Sequence, residues 1–361
     1  MTRRRKLQLL GLAALLPVLG LAVAASGVIP IEASSGHVAP VQWFLEFSKR
    51  RSVATHSRSV GPVRLTEPWF VLKGAGHYHA ACLPCHGGPE RGAFQHVAQG
   101  MSPPPPDPRH VAGSWDAAEL FYVVKHGIKF TGMPAWPTQE RDDEVRAVVA
   151  FLKALPGLDR EGYRRLVHGD VAPVVTTGIA ARAQALCARC HGADGLGRGS
   201  AAFPALAGQP AGYLSGALRA YASGARHSGM MAVVARALEP GELEALAEHY
   251  AGLPGRRGTT PGETASVERG RLLASAGDPA RRVPSCVDCH GPGPGRDPAY
   301  PELAGQYEDY LVLQLELFAA DRRGGSAHGH LMSHVAPRLT PEQRRDVARW
   351  YASRRSEAQA R

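Results

Sequence analysis

Apolar residues follow two patterns along this chain. From Leu7 to Ala25 they are almost unbroken, and Gln8 is the sole polar side chain. Beyond that they recur every three to four residues: Val145, Val148, Val149 and Leu152 in one stretch, Leu243, Leu246, Tyr250 and Leu253 in another, Val347, Trp350 and Tyr351 in a third. That interval lines up one face of a helix. The last stretch also carries a start signal, with Thr340 as N-cap, Pro341 at the first helical position and Gln343 placed to close a capping box. No stretch alternates apolar and polar residues over a useful length, so the pattern predicts an all-α protein. Helical periodicity lapses between Pro156 and Pro173, and Pro254 to Gly262 is a Gly/Pro/Arg/Thr linker. These breaks leave units of roughly 80 to 100 residues, small for a self-sufficient apolar core.

The unbroken stretch fixes the compartment. Arg3, Arg4, Arg5 and Lys6 precede it, and basic residues ahead of an apolar run keep the N-terminus in the cytoplasm and send the rest of the chain across the membrane. Its length favours a retained single membrane anchor. Ala22-Val23-Ala24 offers the alternative, a small-x-small site where a cleaved export segment would end. The formal charge of +10 does not point to nucleic acid, because Arg3 to Lys6 supply four of the ten and no basic run comes after Lys49-Arg50-Arg51. Arg50-Arg51 and Arg322-Arg323 read as solvated faces or partner-docking charge. A charged fraction of 20% with 44% hydrophobic residues excludes a disordered chain, and 361 residues allow two or three domains.

Six cysteines in an exported protein would ordinarily suggest three disulfides. Their spacing argues against that. They fall as Cys82-Leu-Pro-Cys85-His86, Cys187-Ala-Arg-Cys190-His191 and Cys286-Val-Asp-Cys289-His290, so every cysteine belongs to a C-x-x-C-H unit. At this composition one such unit arises by chance about 0.004 times per chain, so three using every cysteine are not a coincidence. The two thiols of each unit match the separation of the two vinyl groups on one edge of a haem. Each adds to one vinyl as a thioether, and the histidine directly after them comes under the iron as its axial ligand. Zinc has no use for a histidine after every second cysteine, and the strand-helix alternation around a thioredoxin-like motif is missing. The cofactors predicted are three covalently bound haem c groups, each with one iron.

The sixth ligand separates electron carriers from catalysts. Met133 lies 47 residues after His86, Met231 lies 40 after His191, and Met332 lies 42 after His290, in a chain with only six methionines. The second and third units repeat internally. Pro204-Ala-Leu206-Ala-Gly208-Gln209 with Tyr213-Leu214 recurs as Pro301-Glu-Leu303-Ala-Gly305-Gln306 with Tyr310-Leu311. Met231-x-x-Val234-Ala235-x-x-Leu238 likewise recurs as Met332-x-x-Val335-Ala336-x-x-Leu339. That register selects Met231 over Met230, and Met332 over His328, His330 and His334, which remain rival ligands. In the first unit Gly132-Met133-Pro134-Ala135-Trp136 places Met133 in a rigid loop, and Met101, 15 residues after His86, is the weaker choice.

All three units resemble class I c-type cytochrome domains. Residues 174–355 are similar to the dihaem cytochromes of the c-four type, through the repeated P-x-L-A-G-Q, Y-L and M-x-x-V-A-x-x-L signatures. Residues 66–158 resemble a monohaem class I domain with its Gly-Met-Pro-Ala-Trp ligand loop, and Trp43 to His56 is similar to a membrane-proximal lead-in. The organisation expected is a signal or anchor segment at 1–31, a linker at 32–65, and cytochrome c domains at 66–158, 174–254 and 262–355. The resemblance implies that a proline carbonyl after each haem motif accepts the histidine ring N–H. Pro204 and Pro301 suit that place, while Pro103 to Pro106 leave the first unit's equivalent unassigned. It also implies single-electron transfer in the periplasm, between a membrane quinol-oxidising complex or dehydrogenase and a terminal oxidase. A triheme subunit of a membrane-bound alcohol or sugar dehydrogenase is the near variant. A haem enzyme with one exchangeable axial position is the remote one, and His227 and the histidines around Met332 are the residues that would support it.

Overall fold

Helices make up every long element of the computed structural model, which describes residues 3–89, 95–169, 177–259, 264–292 and 296–356, with the side chains of 7–10, 12–13 and 95–96 outside that description. Among the described residues the sole β pairing is an isolated bridge between Asp278 and Val283. The expected linker residues 170–173 and 260–262, and the expected domain starts at 174 and 262, lie outside the described residues.

The apolar stripes read from the sequence become three separate cores. The helices Phe70–His77, Ala117–His126 and Asp142–Ala154 enclose the first, in which Val145, Val149, Phe151 and Tyr78 are almost wholly buried. Leu243, Leu246 and Tyr250 of the helix Pro240–Ala251 pack with Ala183 and Leu214 in the second. Val347, Trp350 and Tyr351 of the helix Pro341–Ser353 pack with Leu273, Ala274 and Leu311 in the third. The start signal of that last helix forms as read. Gln343 N–H donates to Thr340 Oγ1 (3.1 Å) and Thr340 N–H donates to Gln343 Oε1 (2.9 Å).

Two glycines let opening and closing helices cross at backbone contact. A Cβ on Gly74 would lie 2.0 Å from the Ala147 carbonyl oxygen, and one on Gly270 would lie 2.1 Å from that of Asp346. The segment from Pro156 to Pro173, expected to lack helical order, contains the helix Arg160–His168. Tyr163 and Val167, four residues apart and fully buried, dock it on the first core. Arg160, Glu161, Arg164 and Arg165 around them mask so short an apolar stripe.

The first residues form the helix Arg3–Ala25 with Pro17 inside it, but among the described residues no helix is long and apolar enough to cross a membrane. The anchor expected over Leu7 to Ala25 finds no support among the described residues, which leave out six of its side chains. The lead-in folds as the helix Ala39–His56 and docks on the first unit, where His56 stacks on Tyr122 (5.8 Å) and Arg50 lies over Trp115 (5.1 Å).

The second and third units face each other through a reciprocal amide clasp. Gln209 Nε2 donates to the Glu302 carbonyl (2.7 Å) and Gln209 Oε1 accepts from Glu302 N–H (3.0 Å). Gln306 Nε2 donates to the Ala205 carbonyl (3.0 Å) and Gln306 Oε1 accepts from Ala205 N–H (3.1 Å). Each partner is its counterpart's equivalent in the internal repeat, so the contact has approximate two-fold symmetry of the kind that closes isologous interfaces. All three units meet where Trp69, Phe70, Ala147 and Ala150 pack with Ala201, Ala202, Phe203 and Tyr307.

Overpacking a helix crossing costs typically about 1–3 kcal/mol. Gly74→Ala is accordingly expected to lower the thermal unfolding temperature, whereas Gly113→Ala, whose added Cβ meets nothing within 4 Å, leaves it in place. Gln306→Leu strips the Ala205 amide of both partners, and a buried unpaired group costs about 1–3 kcal/mol. Differential scanning calorimetry on the haem-loaded protein is expected to show that loss for Gln306→Leu and for Gln209→Leu alike.

Candidate haem sites

In the first two C-x-x-C-H units the entering helix is interrupted at the first cysteine. In the first unit Phe70–His77 widens into a π-helical turn, Tyr78–Cys82, before Leu83–His86. In the second, Gly178–Ala183 widens the same way at Gln184–Ala188 before Arg189–His191. Such turns concentrate at functional sites because they offset side chains from the regular helical register. The third unit reaches its motif through a loop instead, with Cys286 N–H donating to the Ala274 carbonyl (2.8 Å) ahead of the turn Val287–His290.

All six cysteines are unpaired and half-buried, so no disulfide competes for them. Burial pushes the thiols up, Cys82 to about 12 and Cys286 to about 11, with Cys187 and Cys190 also raised. Those four stay neutral S–H groups, poor at exchange with disulfides.

The three histidines share one hydrogen-bond arrangement. Nδ1 of His86 donates to the Pro106 carbonyl (2.8 Å), that of His191 to Pro204 (3.0 Å), and that of His290 to Pro301 (3.2 Å). A carbonyl only accepts, so the proton sits on Nδ1 and the Nε2 lone pair is left for a metal. Burial lowers the pKa of His191, and that of His290 to about 4, which keeps both rings neutral as ligation requires. Pro204 and Pro301 are the prolines the repeat pointed to. Pro106, the last of the Pro103 to Pro106 run, fills the place that the sequence left unassigned.

The second and third motifs open onto one continuous cavity of about 590 Å³. Its walls include Cys187, Cys190 and His191 from one side and Cys286, Cys289 and His290 from the other. Met230, Met231 and Met332 also line it, so geometry brings both second-unit methionines to the cavity. His328 and His334 line it too; His328 Nε2 faces Asp297 Oδ2 at 3.0 Å, His334 is otherwise exposed, and His330 is exposed. His227 turns its carbonyl to Arg141 Nη1 (2.8 Å).

In the first unit Met133 sits in a loop fixed by its own backbone. Its N–H donates to Thr131 Oγ1 (3.1 Å) and its carbonyl accepts from Ile128 N–H (3.1 Å). Gly127, at φ +65°, permits the return, since a Cβ there would lie 2.5 Å from the Pro134 carbonyl carbon. Met101 folds back onto this loop, its sulfur 2.9 Å from where a Cβ on Gly132 would stand.

Arg323, expected on a solvated face, is instead buried, and Arg322 pairs with Asp142 of the first unit (3.4 Å). Arg323 Nη2 donates to Tyr213 OH (3.2 Å), and the repeat-equivalent Arg226 Nη2 donates to Tyr310 OH (3.4 Å). Both arginines line the shared cavity, Arg323 Nε has no partner, and among the described residues no carboxylate pairs with either. Buried cations without counter-ions are costly. Two haems, each with two propionates, would supply such anions, so this cavity fits the group its cysteines imply. The signal was in the sequence: Arg226 and Arg323 keep the same spacing as Tyr213 and Tyr310, 97 residues.

Comparison with known proteins agrees. Residues 71–152 match the family described as cytochrome c oxidase, cbb3-type, subunit III, and residues 177–249 match the cytochrome c family. The chain is 39% identical to a thiosulfate dehydrogenase electron acceptor of Thiomonas intermedia, over 47% of its own length and 78% of that protein. It is 34% identical to cytochrome c4 of Thiocapsa roseopersicina, over 49% of its length and 92% of that protein. Against the crystal structure of reduced cytochrome c4 from Pseudomonas stutzeri the TM-score is 0.45 at 27% identity, covering 49% of this chain and 96% of that one. The chain thus belongs to the class I c-type cytochromes, as a multi-domain electron-transfer protein with three covalently bound haem c groups.

Proposed function

We propose that this protein carries single electrons from a periplasmic dehydrogenase, one that oxidises thiosulfate, towards a terminal oxidase. The observation that carries the reading is the cavity shared by the second and third motifs, which lets two redox centres exchange electrons across a packed interface. The relatives narrow the donor, since one of them is named an electron acceptor of thiosulfate dehydrogenase. The first unit's match to an oxidase subunit family points to the other end of the chain.

Haem c supplies a one-electron couple whose potential rises with methionine ligation. The chain's residues do the rest. The cysteine pairs Cys82/Cys85, Cys187/Cys190 and Cys286/Cys289 would tether the groups, and His86, His191 and His290 would ligate the irons. Met133, Met231 and Met332 would supply the second ligand of each iron, which would leave no position for substrate. The proline carbonyls fix the imidazoles, and Arg226 and Arg323 balance the propionates. The units are 66–168, 174–254 and 262–355, the first drawn past residue 158 because Tyr163 and Val167 belong to its core. The segment up to Ala24 directs export, with Ala22-Val23-Ala24 as the cutting site.

Thiosulfate with a catalytic amount of thiosulfate dehydrogenase is expected to reduce all three haems within seconds, while thiosulfate alone leaves them oxidised. Stopped-flow absorbance in the α band checks this. Reduction by thiosulfate alone would instead make the chain itself the enzyme, and no reduction in either case would remove thiosulfate dehydrogenase as donor. The intact mass of the protein from its native membrane or periplasmic fraction is expected to correspond to a chain beginning at Ala25.

A further inference from the structure

The helix Asp142–Ala154 of the first unit places a carboxylate against the second unit's methionine loop. Glu144 is 2% exposed and uses both oxygens. Oε1 accepts from Ser228 Oγ (2.7 Å), and Oε2 accepts from Gly229 N–H (2.7 Å) and from Trp136 Nε1 (3.1 Å). Ser228 Oγ, its proton committed to Glu144, accepts from the backbone N–H of Met230 (3.3 Å) and of Met231 (3.1 Å). Arg141 holds the preceding residue through the His227 carbonyl (2.8 Å). A continuous chain of hydrogen bonds therefore runs from the first unit to the backbone of both candidate ligands.

The carboxylate is held in place by a compensated cluster. Lys73 Nζ lies 2.8 Å from Asp143 Oδ2, and Arg141 lies 2.8 Å from Asp143 Oδ1 and 3.4 Å from Glu144 Oε1. Two acids and two bases cancel, which is what lets four charges be buried together. Lys73, His77, Arg141 and Glu144 all line the same cavity as His191 and Met231. His77 is 6% exposed, and its Nε2 has no partner. Gly76 of the same helix would, with a Cβ, reach Phe203 at 2.8 Å and the Cys190 sulfur at 3.6 Å. The first unit thus forms part of the wall of the second haem site.

We propose that the first unit completes the second haem site, with Glu144 as a positioning residue that holds the Met230–Met231 loop and so sets the distal ligation of the second haem. The inference rests on the ligand reading given under Proposed function. Groups that bond to a ligand from outside orient it and tune the metal. Glu144 as a mere charge and Glu144 as a positioner have opposite effects. Losing the charge leaves the cluster one positive charge in excess, which favours Fe(II) and raises the potential. Losing the grip frees the methionine, and loss of methionine ligation lowers the potential.

The test uses the full-length haem-loaded protein, a potentiometric titration followed optically, and the methionine-to-iron charge-transfer band of the oxidised form. Glu144→Ala is expected to lower one of the three potentials, by a tenfold change in its reduction equilibrium or about 59 mV for one electron, and to dim part of the band. Ser228→Ala is expected to move the same wave, and the double variant to move it little further, as for residues acting in one chain. Glu144→Gln keeps one acceptor oxygen and falls between; it carries the test if Glu144→Ala fails to accumulate. A raised potential with the band intact, no shift, or equal shifts in all three waves would overturn the proposal. Met230→Ala and Met231→Ala separate the two failures. If neither dims the band, the ligand reading falls and this inference with it. If one does while the Glu144 variants do not, only this inference falls.

Discussion

The arrangement depends on two glutamine side chains that cross between the second and third units. Gln209 and Gln306 each grip the backbone of the residue directly after a proline in the opposite unit. Those prolines, Pro301 and Pro204, are the ones whose carbonyls orient His290 and His191. A single amide pair therefore joins the units and steadies the imidazole support of the neighbouring site. An amide suits this place because one side chain satisfies both a buried N–H and a buried C=O without bringing a charge into an apolar interface.

With the clasp closed, the two motifs open onto one cavity and the buried arginines face each other's tyrosines across it. Each unit alone has too little apolar surface for a large core, and a tethered haem would complete it from within. The first unit joins differently. It contributes a neutral cluster of buried charges, an aromatic contact through Trp69 and Phe70, and an ion pair from Asp142 to Arg322. The second site is consequently enclosed by residues of all three units, while the first has its own loop and its own proline support.

The helical class, the three motifs and the closing helices could all be read from residue spacing, because each rests on local chemistry. C-x-x-C-H is a local geometric match, and a helical stripe or capping box involves residues only three or four apart. The repeat also marked Pro204, Pro301, Gln209 and Gln306, but a single sequence does not show whether a repeated glutamine faces solvent or a neighbour. The features that escaped are long-range. The support from Pro106 needs a chain reversal of 20 residues, the helix Arg160–His168 fully buries only two apolar side chains, and Arg323 looks like a surface charge until its surroundings are seen. Glu144 drew no notice because its partners in the second unit, Ser228 and Gly229, lie more than 80 residues away.

If every haem is closed on both axial faces, the protein serves electron transfer alone, and its optical spectrum shows it. The purified protein would be recorded oxidised and then reduced, with and without carbon monoxide. Three low-spin haems are expected, with a methionine-to-iron charge-transfer band in the oxidised form and no spectral change when the gas is added to the reduced protein. A missing band or clear carbon monoxide binding would refute closed ligation, and would place an exchangeable, catalytic position on at least one iron.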